Sequence, residues 1–298
     1  MITHTVAIIG AGRVGGSIGF LLAKAGYSVT AVWCRSAASA AQARAFIGAG
    51  EPLSTAADMV KAASGADIVF ITTPDRAIED VCGAIAEGKG FRAGALVLHT
   101  SGAHSLDLLD AAKNAGAFRA VIHPLQSLAS REQGIKTLPG SYFRIEVEPE
   151  VREQACDIVK SLGGRELVLP RWSSDKNSTA LYHAGAVAVS NYFVALIDYG
   201  LKFYEALGAD KQEALKAVLP LLRGTLHNVE VLGIPDALTG PIVRGDVQTV
   251  RGHLEAMKER APELLGLYRQ LARHTVVVAR EKGSISDTVA EELTKLME

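Results

Sequence analysis

The chain carries almost no excess of either charge: 31 Lys and Arg against 32 Asp and Glu leave a formal net charge of −1 over 298 residues. That balance gives no basic footprint for nucleic acid or for an anionic membrane surface, so neither is expected as a partner. Cysteine is scarce. Cys34, Cys82 and Cys156 lie far apart, with no C-x-x-C pair and no Cys/His ligand spacing. A disulfide framework and a cysteine-based metal centre are therefore excluded, no metal is expected, and buried thiols fit a reducing, cytoplasmic compartment. The N-terminus lacks a basic leader region, and its first apolar run has the pattern of a strand rather than of a signal peptide. There is no internal repeat and no low-complexity linker. The longest apolar stretch, residues 180–201, is interrupted by Tyr182, His183, Ser190, Asn191 and Asp198. Those central polar groups predict a buried helix rather than a membrane span.

At this length, with 48% hydrophobic residues, two domains can each bury a core of their own. In the first half, short apolar runs alternate with helical patterns. Strands are expected at Val6–Ile9, Ser28–Trp33, Asp67–Thr72, Ala95–His99, Ala120–His123, Tyr142–Val147 and Glu166–Leu169. Helices are expected after Gly15, over Ala37–Phe46, Ala77–Ala86, Leu106–Ala115 and Glu150–Leu162. This alternation predicts an α/β domain with a doubly wound parallel sheet, buried on both faces. After Pro170 only helical periodicity remains: one long helix from about Ser174 to Leu207, then Lys211–Leu232, Asp246–Arg260, Pro262–Lys282 and Asp287–Met297. The expected domains are residues 1–170 and 171–298.

The densest signal is Thr5-Val6-Ala7-Ile8-Ile9-Gly10-Ala11-Gly12-Arg13-Val14-Gly15. An apolar strand ends in a glycine triad and a helix opens directly from it. Gly10 permits the tight turn, Gly12 lets the backbone approach a pyrophosphate, and Gly15 lets the helix lie against the sheet. The free N–H groups of the helix, Arg13 and Val14 among them, then face the phosphates. Dinucleotide binding follows. Where an NAD site ends its second strand in Asp or Glu, this chain has Val32-Trp33-Cys34-Arg35-Ser36 and no carboxylate. Arg35 and Ser36 are suited to a 2′-phosphate, which favours NADP over NAD. Thr72-Thr73-Pro74 and Ser101 at later strand ends are candidates for ribose, nicotinamide amide or substrate.

On the long helix, successive residues turn by about 100°. Lys176, Thr179, His183 and Ser190/Asn191 therefore share one polar stripe, either facing a cleft or hydrogen-bonded at a subunit interface. His183 and His123 are the candidate proton-exchanging groups, with His183 ranked first and His123 as orienter or alternative acid. Asn191 and Ser101 would orient the substrate. Arg244, in the rigid loop Thr239–Asp246, or Arg223 could clamp a substrate carboxylate, and Asp246 is placed to cap the helix that follows.

The order of these motifs, with His123-Pro124-Leu125-Gln126-Ser127, Tyr182-His183-Ala184, Ser190-Asn191 and the Thr239–Asp246 loop, resembles a bacterial family of NADP-dependent oxidoreductases. In that family a Rossmann-like domain is fused to a helical domain of unknown function, within the 6-phosphogluconate dehydrogenase-like superfamily. The resemblance implies an all-α dimerisation domain built round a long central helix, a homodimer, and a small substrate held between the two domains. Hydroxyisobutyrate-type relatives carry a catalytic Lys and Asn where this chain has His183 and Val187, so their activity is not implied. Prephenate dehydrogenases share the His-Pro turn, but Asn191 stands where they carry a second helix histidine. The Gly-Gly-Thr-Thr element of pyrroline-5-carboxylate reductases is missing. The function expected is NADP-dependent hydride transfer. An imine reductase of the pyrroline-5-carboxylate type and a non-catalytic NADP(H)-binding regulatory dimer are the alternatives.

Overall fold

The computed structural model describes residues 4–173 and 175–298, and the chain divides after Ser190 into two compact units. The first is built on an eight-stranded sheet of β1 (Thr5–Ile9), β2 (Ser28–Trp33), β3 (Glu51–Leu53), β4 (Ile68–Ile71), β5 (Leu96–His99), β6 (Phe118–Pro124), β7 (Tyr142–Val147) and β8 (Arg165–Glu166). Their order is β3-β2-β1-β4-β5-β6-β7-β8. Val6–Ile9 of β1 and all of β4 are buried because helices cover both faces, which is why they read as continuous apolar runs. One face packs Ile18 and Leu22 of α1 (Arg13–Lys24), Ala40, Ala43 and Ile47 of α2 (Ala37–Ile47), and a late helix. The other packs Met59 of α3 (Ala56–Ser64), Ile78, Cys82 and Ile85 of α4 (Ile78–Glu87), and Ala112 of α5 (Asp110–Asn114). Cys34 and Cys82 are buried and Cys156 is half-buried.

The sheet departs from the expected all-parallel arrangement. β1 to β6 pair in parallel, but β7 runs antiparallel to β6. A parallel return needs a crossover that carries the chain to the other end of the sheet. Here the connection holds only the seven-residue α6 (Arg131–Thr137), which lies against α1, so the chain re-enters where it left. Leu125, just past β6, donates its N–H to the carbonyl of Tyr142 at the start of β7 (2.8 Å). The helix after β7, α7 (Arg152–Ser161), completes the first face, and β8 is shorter than the strand expected over Glu166–Leu169. β3, α3 and α6 had no sequence expectation.

The long helix is α8 (Lys176–Glu205); its anticipated first residue, Ser174, lies outside the described residues. It was expected to be buried, and in the single chain it is not. Leu181, Val189 and Val194 are 67–77% exposed. Among the described helices it alone is long and apolar enough, by length and composition, to cross a membrane. The second unit adds α9 (Lys211–Leu232), α10 (Val247–Arg260), α11 (Leu265–Glu281) and α12 (Asp287–Leu296). It packs its own core of Ile242, Val250, Leu254, Val276, Ala279 and Leu293. Asp246 caps α10 as expected, accepting from the N–H of Thr249.

Candidate active site

At the carboxyl ends of β1, β2 and β4 lies a cavity of about 860 Å3, lined by Gly10, Ala11, Gly12, Arg13, Val14, Arg35, Ser36, Thr72, Thr73 and Pro74. All but Ala11 were singled out from sequence, and the fold brings them together because ligand crevices in open α/β sheets open where the strand order reverses, here between β1 and β4. Gly10 has φ +93°, and a Cβ there would sit 2.7 Å from the Thr73 nitrogen. Gly15 does not line the cavity, but a Cβ on it would reach 2.2 Å from Thr72 Oγ1. Gly12 differs from both. The nearest atom to its missing Cβ is 3.9 Å away, leaving its face open to a ligand. Thr72 donates its hydroxyl to Gly10 O (3.0 Å), so it braces the glycine loop rather than reaching outward. The Thr73 hydroxyl oxygen is buried without a partner, which leaves a hydrogen-bonding group for something bound.

Ser36 caps α2, accepting from the N–H of Ser39 (3.2 Å), so a second helix N-terminus opens beside Arg35. Arg76 and Arg131 also line the cavity. Sequence reading did not single them out. Arg131 donates from Nε to Gly12 O (3.0 Å) and from Nη2 to Ala11 O (2.6 Å). Counting Arg13 and Arg35, four arginines line the cavity, with no carboxylate among its described lining residues.

A second cluster forms at the end of β6. His123 Nδ1 is hydrogen-bonded to the hydroxyl of Tyr182 on α8 (2.8 Å), with the rings edge to face. Sequence reading placed His183, rather than its neighbour, nearest the chemistry. On a helix the two side chains diverge by about 100°, and it is Tyr182 that turns towards β6. Arg144, facing His123 across the β6–β7 pair, lies over Trp172 (4.6 Å) and Tyr182 (5.3 Å) and is fixed by Glu146 (3.1 Å) and by the carbonyl of His104 (2.9 Å). Burial, with the positive charge of Arg144 adding to it, pushes His123 down to about 3. Burial pushes Tyr182 up to about 12. Near neutrality both stay uncharged. His183 is half-buried and makes no hydrogen bond to a described residue.

His99 is also held neutral. Its Nε2 bonds Ser105 O (2.9 Å), its Nδ1 accepts from the N–H of Ser101 (3.1 Å), and burial lowers it to about 4. Ser101 donates its hydroxyl to Asp75 (2.8 Å) and accepts from the N–H of Ala103 (3.2 Å). Along the anticipated stripe, Thr179 is buried while Lys176, Ser190 and Asn191 are exposed. Arg223 and Arg244, in the second unit, are exposed, and the charge of Arg244 acts on the neighbouring Asp246 carboxylate.

Comparisons with known proteins agree with this organisation. Residues 2–124 match a Rossmann-like domain, and residues 141–275 match the domain of unknown function DUF2520. The chain thus joins the two. A solved structure from Bacteroides fragilis, provisionally named an NADP oxidoreductase, is 22% identical, with 92% of this chain and 98% of that one covered at a TM-score of 0.69. A pyrroline-5-carboxylate reductase from Coxiella burnetii is 15% identical, with 99% of each chain covered at 0.58. An imine reductase variant from Myxococcus stipitatus, solved with NAD+, is 16% identical over 100% of both chains at 0.57. At these identities the likeness is one of fold. No curated protein sequence matches the chain.

Proposed function

We propose that the chain is an NADP-dependent oxidoreductase acting on a small substrate. The observation that carries this reading is the glycine-loop cavity with four arginines and no carboxylate among its described lining residues. Phosphate groups are favoured there by charge, by the N-terminus of α1 and by the open face of Gly12. Arg35, Arg76 and the capped start of α2 would hold a 2′-phosphate, and Thr73 offers its free hydroxyl to ribose or carboxamide. NADP bound in this cavity supplies a nicotinamide that carries hydride. The names of the similar structures, an NADP oxidoreductase, a pyrroline-5-carboxylate reductase and an imine reductase, are consistent with this chemistry.

Proton exchange falls to His183. His123 and Tyr182 are locked together and keep their neutral forms. They orient the start of α8 and the groups beside it. Protonating His123 at neutrality would cost about 5 kcal/mol, too much for a group that must cycle. This arrangement also suits an imine, whose reduction asks less of an acid, and a catalytic test of His183 separates the two. Ser101, already bonded to Asp75, acts by fixing the β5 loop, and Asn191 remains an exposed donor on the same helix. Arg223 and Arg244 are exposed cations that could bind a substrate carboxylate. The exposed apolar residues of α8 and α9, Leu181, Val189, Val194, Leu221 and Val231 among them, are covered by a second copy in a cytoplasmic homodimer.

Calorimetric titration with NADPH and NADH, followed by NADPH oxidation at its absorbance band with carboxylate-bearing carbonyl and imine compounds, tests the reading. Binding of NADPH with turnover of one compound class supports it. Tight NADPH binding with no oxidation of any compound indicates a regulatory dimer instead.

A further inference from the structure

Gly16 has no part in the G-x-G-x-x-G pattern, which Gly10, Gly12 and Gly15 complete. It is nonetheless a position without room. A Cβ on Gly16 would lie 2.8 Å from both Cδ and Nε of Arg131, and 3.1 Å from its Cγ. The missing side chain is the gap through which the Arg131 stem passes over α1. A second close approach seats the same helix: a Cβ on Gly134 would lie 2.1 Å from Ser17 Oγ. Ser17 Oγ also sits 3.2 Å from the carbonyl of Arg131. Ser130 caps α6 at the N–H of Gln133, so the backbone that presents Arg131 is itself fixed.

Beyond that gap, the guanidinium binds Gly12 O through Nε and Ala11 O through Nη2. A guanidinium carries further N–H donors on Nη1 and Nη2. Nη1 has no partner among the described residues, and the side chain lines the cavity alongside Gly10, Gly12 and Arg13. A dinucleotide glycine loop ordinarily meets pyrophosphate with neutral backbone N–H groups. Here a full positive charge, delivered from the β6–β7 connection, is bonded to that loop.

We propose that Arg131 is a pyrophosphate-binding residue and that Gly16 exists to admit it. The inference rests on the cavity taking a dinucleotide. Because Arg131 is tied to Ala11 and Gly12, whereas Arg35 and Ser36 stand at the end of β2, its contribution falls on the pyrophosphate and not on the 2′-phosphate. NADPH, NADH and ADP-ribose all carry that group, and adenosine 2′-monophosphate does not.

The test is calorimetric titration of wild type, Arg131→Ala, Arg131→Lys and Gly16→Ala with those four probes, each variant first checked for native circular dichroism. Arg131→Ala should weaken NADPH, NADH and ADP-ribose each about tenfold, the scale of one charge-assisted bond, with the NADPH/NADH ratio unchanged. Adenosine 2′-monophosphate should bind as before, which a general loosening of the site would not allow. Lysine should recover part of the loss. Gly16→Ala should reproduce the alanine phenotype, and the two changes together should be no worse than either alone. Arg131→Ala with wild-type affinity for ADP-ribose, or an equal loss for adenosine 2′-monophosphate, overturns the assignment while leaving the dinucleotide reading in place. A wild-type protein that binds none of the four probes overturns both.

Discussion

Acidification from about pH 7 to about pH 5 is predicted to strip roughly 4 kcal/mol from the sheet-bearing unit, through two histidines. His99 and His123 have an ordinary value of 6.5, and the fold lowers them to about 4 and about 3. A group whose folded value is depressed binds no proton in the native chain where the unfolded chain already binds one. Stability is therefore complete above 6.5 and is lost as the pH falls towards the folded values. Integrated over that window, each histidine contributes about 1.9 kcal/mol. This is a large share of the stability of an ordinary domain, about 5–15 kcal/mol. The window also isolates the effect, since carboxylates titrate below about 4.5 and Asp67 and Glu148 are held lower still by the groups that donate to them. Urea unfolding followed by tryptophan fluorescence reports the right unit, because Trp33 and Trp172 both lie before Ser190. His99→Gln and His123→Gln should each remove about half of the pH-dependent loss. A wild-type loss under about 1 kcal/mol, or variants that lose as much as wild type, would refute the reasoning.

Two further perturbations probe the site. Gly15→Ala drives a Cβ to 2.2 Å from Thr72 Oγ1 and 2.9 Å from Gly10 O, so the brace on the glycine loop must break; NADPH affinity measured by calorimetry should fall at least about tenfold. His183→Gln should lower turnover about a hundredfold in a steady-state NADPH assay and leave the dissociation constant for NADPH unchanged. Retained turnover in that variant removes His183 from proton exchange and assigns an imine substrate.

The part of the molecule most legible in sequence is the part where one physical constraint acts alone. β2 and β7 were bounded to the residue because β-branched and aromatic residues dominate both segments, even with Ser28 and Thr30 in one and Arg144 and Glu146 in the other. The glycine triad named its cavity because backbone approach admits no substitute. β3 escaped notice since three residues with Pro52 among them make no pattern, and α6 because seven residues with Gly134 inside them make a poor helix by propensity. The direction of β7 was hidden for the same reason, being set by that short connection. Arg76 and Arg131 are solvated arginines by any local reading, and only the fold brings them to the cavity. The unneeded Gly16 was the available signal. The α8 stripe shows the limit of periodicity: the helix was placed closely, but which face meets β6 depended on tertiary packing, and Tyr182 took the contact.

The central claim is that the cavity is built for a 2′-phosphorylated dinucleotide, and the most direct measurement is the pair of dissociation constants for NADPH and NADH on wild type and Arg35→Ala. A 2′-phosphate held by arginine and a capped helix start is worth about 2 kcal/mol, or about thirtyfold. Wild type should prefer NADPH by that factor, and Arg35→Ala should cut most of the preference by weakening NADPH alone, leaving the share held by Arg76 and the start of α2. Equal or tighter binding of NADH by the wild-type protein would contradict the account.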